Sequence, residues 1–202
     1  TGPYGEAFGA NPNGINLQIL RDKPHGIDFG ALEPRIPEML RTPSGKVELA
    51  PTELLADLER LEQAMHAVDA DGLLLVGRRH LRSNNSWMHN VSVLMKGKPR
   101  CTLQMHPEDA TRAGVVDGGS ARITSRVGSV VAVVEVTQDI RPRVVSLPHG
   151  WGHGVSGTKM SIAAERSGVN SNILTDEDQM DPLSGTSVLN GIPVQVEAVI
   201  HQ

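Results

Sequence analysis

The stretch "SARITSRVGSVVAVVEVT", residues 120–137, alternates apolar with polar positions, is dense in β-branched residues and carries Gly128-Ser129 in its middle. Alternation with period two marks strands with one buried face, and a glycine break between two such runs marks a turn. The stretch therefore predicts a hairpin or two long strands. Outward from it, "RVVSLP" at 143–148 and "IPVQVEAVI" at 192–200 supply two further strands, and "CTLQMH" at 101–106 a shorter one. "LLLV" at 73–76 follows the turn signal Asp71-Gly72 and is continuously apolar, as in a strand buried on both faces. "PEDATRAG" at 107–114 reads as one or two helical turns, with Pro107 at the first position and Gly114 as the stop. Leu54, Leu58, Leu61, Met65 and Val68 recur at helical spacing behind Thr52, which predicts one amphipathic helix. Together these elements describe a mainly β domain, a closed barrel with short helices, whose polar loops carry the residues of interest.

The 202 residues suffice for one good core plus an extension. Aromatics make up only 2 %, so the core is aliphatic, and Trp87 and Trp151 need another explanation. A net charge of -4 argues against nucleic acid as a partner, and a membrane-surface role is equally unsupported. Cys101 is alone, which excludes a disulfide or a Cys-x-x-Cys metal site within this chain and points to a reducing compartment, the cytoplasm. With no basic-then-apolar leader and no apolar run near the ~18 residues a membrane helix needs, no membrane span is expected. The opening "TGPYGEAFGANPNG" starts abruptly at Thr1, as expected of a piece cut from a larger protein or of one trimmed during production. Residues 1–50, with Pro3, Pro12, Pro24, Pro34, Pro37 and Pro43, read as an extended linker or arm, and residues 51–202 as the barrel domain.

Several chemistries fail on inspection. A nucleophile elbow needs Gly-x-Ser-x-Gly, but "GVSGT" at 154–158 ends on Thr158. A phosphate loop needs Ser or Thr after Gly-Lys, whereas Val47 follows Lys46 and Pro99 follows Lys98. His149 and His153 have the spacing of a helical metal pair, yet "PHGWGHG" is too rich in glycine to be helical and reads as two loop histidines donating hydrogen bonds. Glu177, Asp178 and Asp181 are unevenly spaced and form a solvated acidic loop, not a calcium loop.

The loop after the first strand, "HLRSNNSWMHN" at 80–90, concentrates polar groups that neither a helix nor a half-buried strand requires. Arg78, Arg79 and Arg82 can clamp a pyrophosphate. Asn84, Asn85 and Asn90 each offer donor and acceptor to the edge of a pterin or guanine ring, and Trp87 can stack on such a ring. Taken singly, the asparagines read as turn residues and the arginines as solvated; the clustering favours a ligand. "GVNSNILT" adds Asn170 and Asn172, and "LPHGWGH" places Trp151 between glycines that let backbone approach a ligand closely.

Through "LRTPSGKVELAP", "LLLVGRRHLRSNNSWMHN", "MHPEDATRAGVVDGGSARITSRVGSV", "VVSLPHGWGH" and "GVNSNILTDEDQMDPLSGTSVLNGIPVQVE" the chain resembles the C-terminal domain of the molybdopterin oxidoreductases. This is the dimethyl sulfoxide reductase superfamily, with its formate dehydrogenases and nitrate reductases, and the resemblance runs from about Arg35 to Val199. It implies a double-psi β-barrel, of the aspartate decarboxylase-like kind, that closes over molybdopterin guanine dinucleotide. By resemblance, Gly77, Arg78, His80, Arg82, Ser83, Asn84, Asn85, Trp87, His89 and Asn90 line one face of the cofactor, and His149, Gly150, Trp151 and Asn172 another. Where many relatives carry a basic residue before the last strand, this chain has Asn190-Gly191. The family's metal ligand, holding molybdenum or tungsten, and its iron–sulfur segment belong to preceding domains of the parent enzyme. No catalytic or metal-binding residue is therefore expected here, the fragment alone should be inactive, and any electron-transfer partner is unspecified.

Two other readings remain open. Barrels of this type include a self-processing pyruvoyl-type decarboxylase cut at a Gly-Ser bond, for which Gly119-Ser120 and Gly128-Ser129 are candidates. The third is an interaction module without a ligand.

Overall fold

The structure, a computed structural model, describes residues 4–66 and 72–199. It divides into two units, residues 1–51 and 52–202. Of the first unit's described residues only Gly5 and Gly14 are buried, so it has no hydrophobic core of its own. Its α-helix, α1 (Leu17–Asp22), is capped by Asn16, whose side chain accepts from Ile19 N at 3.0 Å.

In the second unit the single helix expected from the leucine spacing is two, α2 (Thr52–Ala56) and α3 (Leu58–His66), and Val68 lies outside the described residues. The break is at Asp57, whose carboxylate accepts from Arg60 Nε at 2.7 Å and Nη2 at 2.5 Å. Neither helix buries a residue. The rest of the order is β1 (Leu73–Arg78), α4 (Ser92–Met95), β2 (Thr102–Met105), α5 (Pro107–Arg112), β3 (Ser120–Thr124), β4 (Ser129–Val136), β5 (Val144–Pro148), α6 (Ser161–Glu165) and β6 (Ile192–Ala198).

The strands close into a barrel in the order β1-β5-β2-β4-β3-β6. The pairs β1–β5 and β2–β4 are parallel, and the other four are antiparallel. Exchanging β1, β2, β3 with β4, β5, β6 maps this pairing list onto itself, so two equivalent three-stranded halves interlock. That is the double-psi arrangement, and closure leaves no sheet edge unpaired. The expected hairpin is the antiparallel β3–β4 pair, Ser120 opposite Val133 through Thr124 opposite Ser129.

Inward positions follow the pleat. Val130, Ala132 and Val134 of β4 are buried while Val131, Val133 and Glu135 are exposed, and Ala121 and Ile123 do the same on β3. Leu103, Met105, Val145, Leu147 and Leu174 complete an aliphatic core with no aromatic ring. The apolar run of β1 behaves otherwise than expected: Leu75 alone is buried and Leu74 is 38 % exposed. Neither α2 nor α3, the two helices that precede it, buries a described residue. Pro107 opens α5 and Gly114 stops it at φ 67, as the residue types predicted. Among the described residues no helix is long and apolar enough to cross a membrane.

Because Leu103 is fully buried at the centre of the barrel, Leu103→Ala should lower the unfolding free energy by about 2–5 kcal/mol, read from the denaturant midpoint.

Candidate functional site

β1 and β5 are parallel neighbours, so the loops that follow them leave the same end of the barrel side by side. The loop after β1, residues 79–91, is a series of turns in which Met88 N donates to Ser83 O at 3.2 Å and His89 N to Ser86 O at 3.0 Å. Asn84 and Asn85 have φ 44 and 62, the left-handed region that Asn tolerates better than other side-chain-bearing residues. The loop after β5 meets it at Gly150, where φ is +83 and an added Cβ would lie 2.2 Å from Asn85 O. Two residues on, Gly152 has φ +105, and its Cβ would lie 2.7 Å from that of Asn170 in the third loop. Gly152 N also donates to Ser167 O at 2.7 Å. The three loops therefore converge. The glycines beside Trp151 admit neighbouring backbone of the same protein, where the sequence suggested room for a ligand.

Many of the anticipated side chains are engaged inside the protein. Arg78 donates through Nη1 to Ser146 O at 2.8 Å and through Nη2 to Thr102 O at 2.8 Å, while its Nε reaches His80 Nε2 at 3.3 Å. Its guanidinium ties three strands together instead of standing ready for a pyrophosphate. Burial, followed by the positive Arg78 and Arg100, pushes His80 below the usual histidine range. Asn90 Oδ1 accepts from Ile162 N at 3.1 Å and Ala163 N at 3.2 Å, which satisfies the first turn of α6. Asn190 accepts from Gly77 N at 2.7 Å and ties the approach to β6 to the end of β1.

His149 and His153 part company. His149 Nε2 lies 2.8 Å from Arg79 Nη1 and 3.0 Å from Asn85 Oδ1, and Arg79 also donates to Asn85 Oδ1. His149 Nε2 either accepts from Arg79 or donates to Asn85 Oδ1, according to which ring nitrogen carries the proton. His153 Nε2 lies 2.8 Å from Nδ1 of His89, whose Nε2 lies 2.6 Å from Ser83 Oγ. His89 is wholly buried, with its ring 4.0 Å from that of Trp151. Burial, then the neighbouring His153, Arg100 and His80, lowers its pKa to about 4. No group of three or more potential metal ligands occurs among the described residues.

What stays open at this end is a smaller set. Arg82, Asn84 and Asn172 are exposed, and their side chains hold no hydrogen bond among the described residues. Trp87 is 82 % exposed. Trp151 is 6 % exposed and its indole Nε1 has no partner among the described residues. Burial first, then Arg82 and Arg166, lowers the pKa of Arg100, so three guanidinium groups share one neighbourhood. Arg100 and Arg166 line a cavity of about 310 Å³ together with Trp151 and Cys101. A clustered positive charge, free amides, an open indole and an orphaned N–H fit a heterocycle carrying phosphates. The pairing of Arg82 with Arg100 and Arg166, and the acceptor roles of Asn90 and Asn190, join residues far apart in the chain and left no local sequence signal. A larger hollow of about 1120 Å³ lies at the opposite mouth, bordered by Leu73, Val144, Arg141 and Glu197, and none of the anticipated residues lines it.

A cofactor-binding barrel is the class these features define. Residues 73–193 match the family described as Molydopterin dinucleotide binding domain, and the chain belongs to that family, whose cofactor is molybdopterin guanine dinucleotide. It is 29 % identical over 119 residues to a tetrathionate reductase chain of Salmonella typhimurium, covering 50 % of this chain and 12 % of the relative. It is 34 % identical over 100 residues to the molybdopterin-containing arsenate respiratory reductase chain ArrA of a Shewanella species, covering 48 % of this chain and 12 % of the relative. The chain thus spans about an eighth of the length of these relatives. Acetylene hydratase from Pelobacter acetylenicus shares the fold, with a TM-score of 0.58 and 23 % identity over 78 % of this chain and 24 % of that one. The curated relatives are reductases, which supports an oxidoreductase in general and neither a formate dehydrogenase nor a nitrate reductase in particular.

Gly150→Ala should destabilise the chain by at least about 1–2 kcal/mol from the left-handed backbone alone, with a further loss from the clash against Asn85 O; Gly157→Ala, at φ +88 in open space, should show only the first part in thermal unfolding. A depressed histidine pKa makes the unfolded chain bind more protons between about 6.5 and 4, so stability falls as pH drops through that window; His89→Gln should flatten this slope in denaturant titrations.

Proposed function

We propose that the three loops form one wall of the cofactor site in a larger molybdenum or tungsten oxidoreductase. On this reading residues 51–202 are the closing barrel and residues 1–50 the arm that joins it to the preceding domains. Arg82, backed by Arg100 and Arg166, faces the pyrophosphate. The free amides of Asn84 and Asn172 meet ring edges, and Trp87 stacks. Asn85 and His149 are oriented toward the cofactor by Arg79. Ser83, His89 and Trp151 support these groups from beneath, and Gly77, Arg78, His80, Asn90 and Gly150 shape the wall through their backbone and internal bonds. When bound, the cofactor's metal supplies the redox chemistry; this domain binds and orients, and any iron–sulfur cluster belongs to other parts of the parent. Reduction of an oxyanion or oxide is the parent activity the named relatives favour, with formate or nitrate chemistry as the narrower alternative.

The observation carrying this reading is the set of unspent donors around one mouth of the barrel, beside the cluster of three arginines. A hydrogen bond to a charged group contributes about 1.5–3 kcal/mol, so Arg82→Ala in the parent enzyme should weaken cofactor binding roughly 10- to 100-fold. Pterin released per mole of purified enzyme reports it. Arg141→Ala, at the opposite mouth, should leave that content unchanged; equal content in both variants would defeat the assignment.

A further inference from the structure

Ser83, His89 and His153 are joined in series, and the two outer members lie on different loops. Ser83 belongs to the loop after β1 and is 4 % exposed; His153 sits in the loop after β5 and is half-buried. We propose that His153 is a positioning residue that sets, through the fully buried ring of His89, the direction in which the Ser83 hydroxyl donates.

The constraint is one of proton count. The groups acting on His89 are its burial, the cationic forms of His153, Arg100 and His80, and the Gly150 backbone, which alone opposes them. No carboxylate is among them, so His89 stays neutral at ordinary pH and carries a single ring proton. One of its nitrogens then donates and the other accepts. If His89 Nδ1 donates to His153 Nε2, His89 Nε2 accepts the Ser83 hydroxyl proton. If His153 Nε2 donates to His89 Nδ1, the proton of His89 is on Nε2 and goes to Ser83 Oγ, and the hydroxyl proton turns to another acceptor. A charged His153 carries protons on both nitrogens and can only donate, so only the second arrangement survives.

Passing from the first arrangement to the second moves protons without charging His89. His153 Nε2 takes the proton from His89 Nδ1, His89 Nε2 takes the one from Ser83 Oγ, and Ser83 Oγ takes one from solvent. Each N–H or O–H bond broken is matched by one formed, and the added charge rests on His153. With His153 charged, Ser83 Oγ can only accept from His89; the arrangement in which the Ser83 hydroxyl donates to His89 Nε2 is open only while His153 is neutral. The consequence for a bound pterin rests on the reading proposed above; the relay itself requires no cofactor.

Histidine-selective ¹⁵N labelling of the 202-residue chain, with ring nitrogens observed through an acid titration, tests the relay. As His153 becomes doubly protonated, the Nδ1 signal of His89 should shift from the protonated toward the bare position while His89 retains a single ring proton. In His153→Gln, which keeps a hydrogen-bonding side chain but does not titrate, this response should vanish; His153→Phe should abolish it as well. A His89 proton that stays on one nitrogen throughout, or a His89 that becomes doubly protonated together with His153, would overturn the proposal. Because the readout contains no pterin, its failure leaves the cofactor assignment standing, and a parent enzyme indifferent to Arg82→Ala leaves the relay standing.

Discussion

Everything at this end of the barrel depends on two places where one loop's backbone lies against another with no room for a side chain. At Gly150 the neighbour is the carbonyl of Asn85, and at Gly152 it is the backbone and Cβ of Asn170. Both glycines have left-handed φ, so each also supplies a turn that other residues resist. Between them Trp151 is driven inward, where its ring covers His89. The consequence is a set of three loops whose relative positions are set by steric contact, with polar side chains free to face outward.

The barrel prepares this arrangement. Parallel pairing of β1 with β5 brings the first two loops out together, and the double-psi exchange of halves makes such parallel neighbours occur twice. Arg78 reinforces the mouth by bonding to carbonyls on β5 and β2 at once. Gly128 does comparable service, since a Cβ there would lie 2.4 Å from Ile173 O, which lets the turn that carries Asn172 pack on the β3–β4 hairpin. The Gly128-Ser129 pair thereby has an architectural explanation.

Strands were legible in the sequence because their signal is local: β3, β4, β5 and β6 each carry period-two alternation or a short apolar run bounded by turn residues. The break of the leucine-rich helix at Asp57, where the carboxylate pairs with Arg60, was not, because the apolar periodicity runs straight through it. Membership of the polar cluster was legible by residue type, but the division of labour within it was not. Arg78 and Arg82 look alike in the sequence, yet one is bonded to residues 24 and 68 positions away and the other is open. The same applies to His89 and His153, 64 residues apart, whose pairing is set by chain crossing and not by spacing.

The most direct measurement is an experimental structure of the parent polypeptide with its dinucleotide bound. Pterin or pyrophosphate atoms should lie within hydrogen-bonding reach of Arg82, Asn84 or Asn172, with an aromatic ring plane near Trp87. A dinucleotide seated instead against Arg141 and Glu197 at the other mouth, with the three glycine-joined loops facing bare solvent, would contradict it.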